Sequence, residues 1–145
     1  MKKIYWSFLL LGTIGFLDSL YLAIIHFTNN SVVCNGTNEC DLVLTSSYAT
    51  FLGIPLALFG IIFYIYIIII STLMLEKIKL GQNVTPKLIV PFAFIGFVAS
   101  MYFVYIQAFV LNAYCTYCMV SAVSSTIIFI LANIYCYKVS KDKSA

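Results

Sequence analysis

The chain reads as an all-α integral membrane protein: a bundle of four transmembrane helices, with an extracytoplasmic loop that carries a short amphipathic interfacial helix. Three observations predict this. Of 145 residues, 63% are hydrophobic and only 9% are charged, whereas soluble chains carry about 25% charged residues, so the charges are too few to cover a soluble surface. The apolar residues gather into four runs, Ile4–Phe27, Ile54–Leu75, Leu88–Leu111 and Ala113–Tyr137. Each run is long enough, at about 1.5 Å per residue, to cross a hydrocarbon core of about 30 Å. Finally, all eight basic residues are lysines, and they fall on one set of connections only.

The first run follows Met1-Lys2-Lys3 and exceeds the roughly 7–15 apolar residues of a signal-peptide core, so it reads as a retained span. His26 ends it and reads as interfacial. The polar loop that follows carries Cys34, Asn35-Gly36, Cys40 and Asp41. Asn-Gly is a turn signal, so the two cysteines can approach around it. Beyond Asp41, a plausible N-cap, Leu42, Leu44, Tyr48, Phe51 and Leu52 surround Thr45, Ser46 and Ser47, the pattern of a short helix at an interface. Gly53-Ile54-Pro55 turns the chain into the second span, where Pro suits a first helical turn. Gly81, Asn83 and Pro86 mark the Glu76–Lys87 segment as a loop, and Asn112–Tyr114 reads as a tight turn. One domain, 1–145, accounts for the whole chain.

The lysines orient the bundle. Lys2 and Lys3, then Lys77, Lys79 and Lys87, then Lys138, Lys141 and Lys143 flank the spans at one side, while Thr28–Gly53 and Asn112–Tyr114 contain none. The positive-inside rule puts both termini and Glu76–Lys87 in the cytoplasm, and the cysteine-bearing loop outside. The net charge of +3 is what this bias leaves behind, and it gives no reason to expect a nucleic-acid partner.

Four of the five cysteines therefore form two pairs on one face of the membrane. Cys115-Thr-Tyr-Cys118 opens the fourth span. Residues i and i+3 share a helix face, so these sulfurs can form a disulfide or act together. Cys115 lies where helix-terminal amides favour a thiolate. Cys118 lies one turn deeper, within reach of a lipid-soluble oxidant. A soluble thiol opening Cys34–Cys40, and the reduced loop then opening Cys115–Cys118, makes a relay by thiol–disulfide exchange in a compartment where disulfides persist. Three other readings stay open: a structural loop disulfide, a four-cysteine zinc site and buried packing thiols. Against them, a CxxC disulfide closes almost no chain, and Thr-Tyr offers no glycine turn around a metal. Cys136 stands alone and reads as a reduced packing residue.

The order Cys34-x5-Cys40-Asp41, Ser46, Gly53-Ile54-Pro55 and Cys115-x-x-Cys118 resembles the vitamin K epoxide reductase family, over most of the chain. The resemblance implies a bacterial, inner- or plasma-membrane thiol oxidase similar in role to DsbB. Cys34 would receive electrons from an extracytoplasmic thioredoxin-like (DsbA-like) partner, and Cys40 would pass them to Cys115. Cys118 would face and reduce a membrane quinone (menaquinone or ubiquinone), with Ser46 near the quinone head. Animal relatives have Tyr where this chain has Ala122, which fits a plain quinone better than an epoxide. Many bacterial relatives carry a fused thioredoxin-like domain; none is present in 1–145, which implies a separate partner protein. The competing readings are a quinone-epoxide reductase that uses the same cysteines, and a non-enzymatic membrane scaffold with a structural loop disulfide.

The remaining polar residues have two readings each. Asp18, mid-span beside Ser19, reads first as a structural hydrogen-bond partner of another helix and second as a proton handler. Gln107 and Asn112 read first as solvated among head groups and second as donors to a quinone carbonyl. Ser121, Ser124 and Ser125 read as contacts between helices.

Overall fold

Between Lys2 and Thr28 the chain forms one unbroken helix, α1. Three more helices complete a bundle: α3 (Leu56–Leu75), α4 (Lys79–Tyr105) and α5 (Thr116–Ser144). In the computed structural model the described residues are 2–31, 34, 36, 38–76 and 79–145, with the side chains of 79–84 excepted. Asn35 and Thr37 of the expected loop turn, and Lys77 of the inner connection, lie outside them. Four segments are long and apolar enough to cross a membrane: Lys2–Thr28, Leu56–Leu75, Thr85–Leu111 and Thr116–Ser144.

The bundle closes as a ring in which α1 packs on α3 and α5, while α4 packs on α5 and α3. Tyr5 meets Tyr135 with ring centroids 5.7 Å apart, and Tyr21 meets Tyr117 at 5.1 Å. These two contacts make α1 and α5 antiparallel. They also gather Lys2, Lys3, Lys138, Lys141 and Lys143 at one end and the CxxC at the other.

The interior is built from Phe8, Tyr64, Ile67, Ile89, Ile128, Ala132 and Tyr135. Glycines let the backbones approach, as small residues do between membrane helices. A Cβ on Gly15 would land on the Tyr64 ring, and one on Gly96 would sit 2.5 Å from Phe63. Large apolar side chains also cover the outside. Trp6 (62% exposed), Leu10 (62%), Ile62 (66%) and Ile95 (62%) point away from the bundle, while Ser19, Ser71, Ser124 and Ser125 are buried within it. In water such a surface is a contiguous liability; in lipid it is the ordinary solvent-facing side. The chain is an integral membrane protein.

Two expectations need correction. The expected loop over Glu76–Lys87 is helical from Lys79 onward, and Pro86 and Pro91 lie inside α4. Proline is tolerated within membrane helices because neighbouring groups satisfy the freed carbonyls. The interfacial helix is also shorter and starts earlier than expected. It is α2, Glu39–Thr45, with Asn38 rather than Asp41 at the N-cap. Ser46 ends it at ψ 154°, its hydroxyl donating to the Val43 carbonyl at 2.7 Å, the local competition by which serine closes helices. A 3-10 turn over Ser47–Ala49 leads into a small antiparallel hairpin, β1 (Thr50–Phe51) and β2 (Ile54–Pro55). Its two-residue loop places Leu52 and Gly53 at φ +53° and +80°, the left-handed pair that such tight hairpins require.

Replacing Gly15 by Ala is expected to drive a methyl into Tyr64 and cost about 1–3 kcal/mol, read as a lower midpoint of thermal unfolding in detergent. The lipid-facing Ile62→Ala is expected to stay within about 0.5 kcal/mol of the parent.

Candidate redox site

The site begins with a bond already made. Cys34 and Cys40 form a disulfide, whereas Cys115 and Cys118 are free thiols. The loop between Cys34 and Cys40 bends at Gly36, whose φ of +78° suits a residue without a side chain. The disulfide does not hang in solvent. Cys34 is 6% exposed and Cys40 0%, and both pack with Val43, Ala113 and Cys115 in one apolar cluster edged by Tyr117 and Cys118. The tertiary structure thus brings all four cysteines into one place.

Cys115 is the N-cap of α5, with extended backbone (φ −94°, ψ 117°), and its sulfur accepts the Cys118 N–H at 3.4 Å. This is the position where a side-chain acceptor satisfies an orphan helix amide. It is also where the helix dipole favours negative charge. The Cys118 thiol donates to the Cys115 sulfur, and with the amides of Cys118 and Tyr117 it holds the Cys115 thiol below its ordinary pKa, against burial and the Asp18 charge, which push it up. A hydrogen-bonded thiol at a helix N-terminus is the setting in which thiolates form most readily.

Gln107 shapes the backbone that carries Cys115. At Ile106 the α4 helix widens into a π-helical turn that runs to Leu111 and ends at left-handed Asn112, φ +48°. The Gln107 carbonyl receives the N–H groups of Asn112 and Ala113, and its side-chain Oε1 receives the Cys115 N–H at 2.9 Å. Gln107 is fully buried, so the head-group solvation expected of it is wrong: the π turn rotates it inward rather than towards the interface. Asn112 is exposed and serves as the turn residue. A second tie, unexpected from the sequence, joins the loop to this turn: Glu39 accepts the Tyr114 N–H at 3.3 Å. Its only sequence signal was a carboxylate immediately before Cys40.

Below the cysteines lies a polar layer. Tyr64 Oη lies 2.9 Å from both the carbonyl and the hydroxyl of Ser121, and Ser100 and Ser125 share a hydrogen bond at 2.7 Å. Two of the three predicted interhelical serines thus make such contacts. Asp18 does not have the hydrogen bond expected first for it: its Oδ2 is buried without a partner among the described residues, as is Gln107 Nε2. Ser46 is half-buried and lines an outer groove of about 460 Å³ with His26, Asn29 and Asp41. The groove adjoins the cysteine cluster through Ile25 and Leu44. Cys136 is a half-buried free thiol away from this site. Among the described residues, no three His, Cys, Asp or Glu side chains are grouped to hold a metal ion.

Two outcomes follow from these bonds. In a Cys136→Ser background, removing the Cys118 donor by Cys118→Ala is expected to move the pH midpoint of Cys115 alkylation upward, with a severalfold slower reaction at neutral pH, followed by mass spectrometry of the labelled peptide. Gln107→Leu orphans the buried Cys115 N–H and is expected to cost about 1–3 kcal/mol in detergent unfolding.

Comparison with known proteins agrees with this geometry. Residues 6–133 match the Vitamin K epoxide reductase family. The chain is also 34% identical over 127 residues to the thiol-disulfide oxidoreductase LTO1 of Arabidopsis thaliana, a match covering 80% of this chain and 32% of the relative. The chain thus spans about a third of that relative's length. The matched range runs from the first helix into the last: the chain belongs to the vitamin K epoxide reductase family.

Proposed function

We propose that the chain is a membrane thiol oxidoreductase that takes electrons from an extracytoplasmic thioredoxin-like protein and delivers them to a membrane quinone, in support of disulfide formation. The observation that carries this reading is the shared cluster of the loop disulfide and the CxxC thiols at the end of the bundle remote from the lysines. The name of the plant relative, a thiol-disulfide oxidoreductase, supports the same chemistry.

In this reading the partner's thiolate attacks Cys34, and Cys40 leaves. With the Cys115–Cys118 pair oxidised, Cys40 attacks Cys115 and Cys118 leaves as the thiolate. The partner's second thiol closes the partner's disulfide and frees Cys34, and Cys34 closes again on Cys40 and releases Cys115, so that one electron pair has passed inward. Gln107 and Glu39 hold the two backbones in register for the transfer. Because Cys34 is only 6% exposed, the loop lifts from the bundle to meet the partner. Cys118, at the membrane side of the pair, faces the acceptor. When bound, a quinone accepts two electrons and two protons. The unpaired Gln107 Nε2 and Asp18 Oδ2, a donor and an acceptor beside the dithiol, are suited to its carbonyl and hydroxyl forms. Ser46 borders the outer entrance. The lysine bias orients the cysteines to the extracytoplasmic side.

Purified, fully reduced protein mixed with a menaquinone or ubiquinone analogue is expected to form quinol stoichiometrically in a single turnover, read by quinone absorbance. Cys118→Ala is expected to lower the rate at least about 100-fold, as loss of a directly reacting group does. Absence of quinol with every quinone tried, from folded protein with free thiols, defeats the reading.

A further inference from the structure

Forming a disulfide from a dithiol releases two protons along with two electrons, and Cys118 must give up its proton one turn inside an apolar helix. The structure offers a group for that proton. Asp18 lies in the middle of α1, its Oδ2 buried and without a hydrogen-bond partner among the described residues. An uncompensated carboxyl at membrane depth costs stability, and such groups mark functional sites. The antiparallel contacts Tyr5–Tyr135 and Tyr21–Tyr117 put Asp18 level with about residue 120, roughly 3 Å deeper than Cys118. Tyr64, bonded to Ser121, and the buried Ser19 complete the polar layer around it.

We propose that Asp18 is the proton carrier of Cys118, giving a proton to that sulfur when the Cys115–Cys118 disulfide is opened and taking it back when the disulfide forms. In the opening step the Cys40 thiolate bonds to Cys115 Sγ. The Cys115–Cys118 bond breaks with its electron pair on Cys118, and the Asp18 carboxyl proton moves to that sulfur. Cys34 then bonds to Cys40, which releases Cys115 as a thiolate. In the closing step the Cys118 thiol proton returns to the Asp18 carboxylate, the Cys115–Cys118 bond re-forms, and two electrons leave to an acceptor of the quinone class. The two protons that acceptor needs come from the extracytoplasmic water, which received two from the partner's thiols, so Asp18 ends the cycle protonated as it began. The closing step rests on the thiol-to-quinone reading above; the opening step does not.

The sign of one substitution separates this role from that of a bystander. A nearby carboxylate disfavours a thiolate, so a bystander Asp18 slows ionisation of Cys118 and its removal speeds it. A proton acceptor does the opposite. The other titratable groups around the pair are Tyr21 and Tyr117, Tyr64, and Glu39 on the loop turn; all are left intact. In quinone-free protein carrying Cys115→Ser and Cys136→Ser, with the loop disulfide closed, alkylation of Cys118 by a membrane-permeant maleimide is followed across the neutral pH range. Asp18→Asn is expected to slow it at least about tenfold, and Asp18→Glu to restore most of the rate. An Asn variant as fast as the parent, or faster, overturns the proposal, as does a Glu variant no better than Asn. If Asp18→Asn does not fold, infrared difference spectra of otherwise unaltered protein, dithiol minus disulfide, decide instead: a change in a carboxyl band is expected, and none overturns the proposal. Slowed alkylation in protein that reduces no quinone sinks the quinone reading and leaves the proton carrier standing.

Discussion

The hydrogen bond from the Cys115 N–H to Gln107 Oε1, 2.9 Å long and fully buried, is the constraint on which the cysteine end of the bundle depends. The first amides of a helix have no partner inside it, and at this depth no water is at hand to supply one. Gln107 meets that need from the preceding helix while its own carbonyl closes the turn at Asn112 and Ala113. One residue therefore sets how α4 returns into α5. With the backbone N–H engaged elsewhere, the Cys115 sulfur is left to cap α5 through the Cys118 amide. The π turn is the geometric cost of this arrangement: a wider turn rotates Gln107 into the interior, and such bulges often sit at functional sites.

The loop depends on that turn. Glu39 reaches the Tyr114 N–H, and the Cys34–Cys40 disulfide lies against Ala113 and Cys115, so the two cysteine pairs share one packing unit. This geometry suits exchange between disulfides, where access and orientation of the attacked sulfur govern the rate as much as thiolate content does. It also buries the loop pair, so under the proposed function the same loop must release its contacts to meet a soluble partner. The exposed bonds that hold it, Glu39 to Tyr114 among them, are individually weak enough for that.

The bundle beneath is apolar inside and out, unlike a soluble protein. Large apolar side chains such as Ile62 and Ile95 face outward, and serines and a carboxyl lie within. Between helices in lipid the hydrophobic effect offers little, so close backbone approach at Gly15 and Gly96 and bonds such as Tyr64–Ser121 take its place. Polar groups placed inside for packing also make an interior in which a proton can be held.

Much of this was legible in the chain. The four spans, the antiparallel bundle and the location of Cys34, Cys40, Cys115 and Cys118 at one end follow from apolar run length, loop order and lysine placement, because lipid admits few alternatives to a full-length helix. The ends of elements were less legible. The helical backbone over the segment from Lys79, and Pro86 within it, went against turn propensity, which tertiary context overrides. Asn38 rather than Asp41 capped α2, since caps shift within a residue or two when several candidates compete. By itself, then, the sequence determined the membrane class, the bundle and the pairing of cysteines by side, all of which rest on local composition and chain order. Only the tertiary structure decided that Gln107 turns inward to hold Cys115, that Glu39 ties the loop down and that Asp18 Oδ2 is buried without a partner among the described residues. Those are contacts between residues distant in sequence, set by the register of α1 on α5 and by a π turn that no local pattern announces.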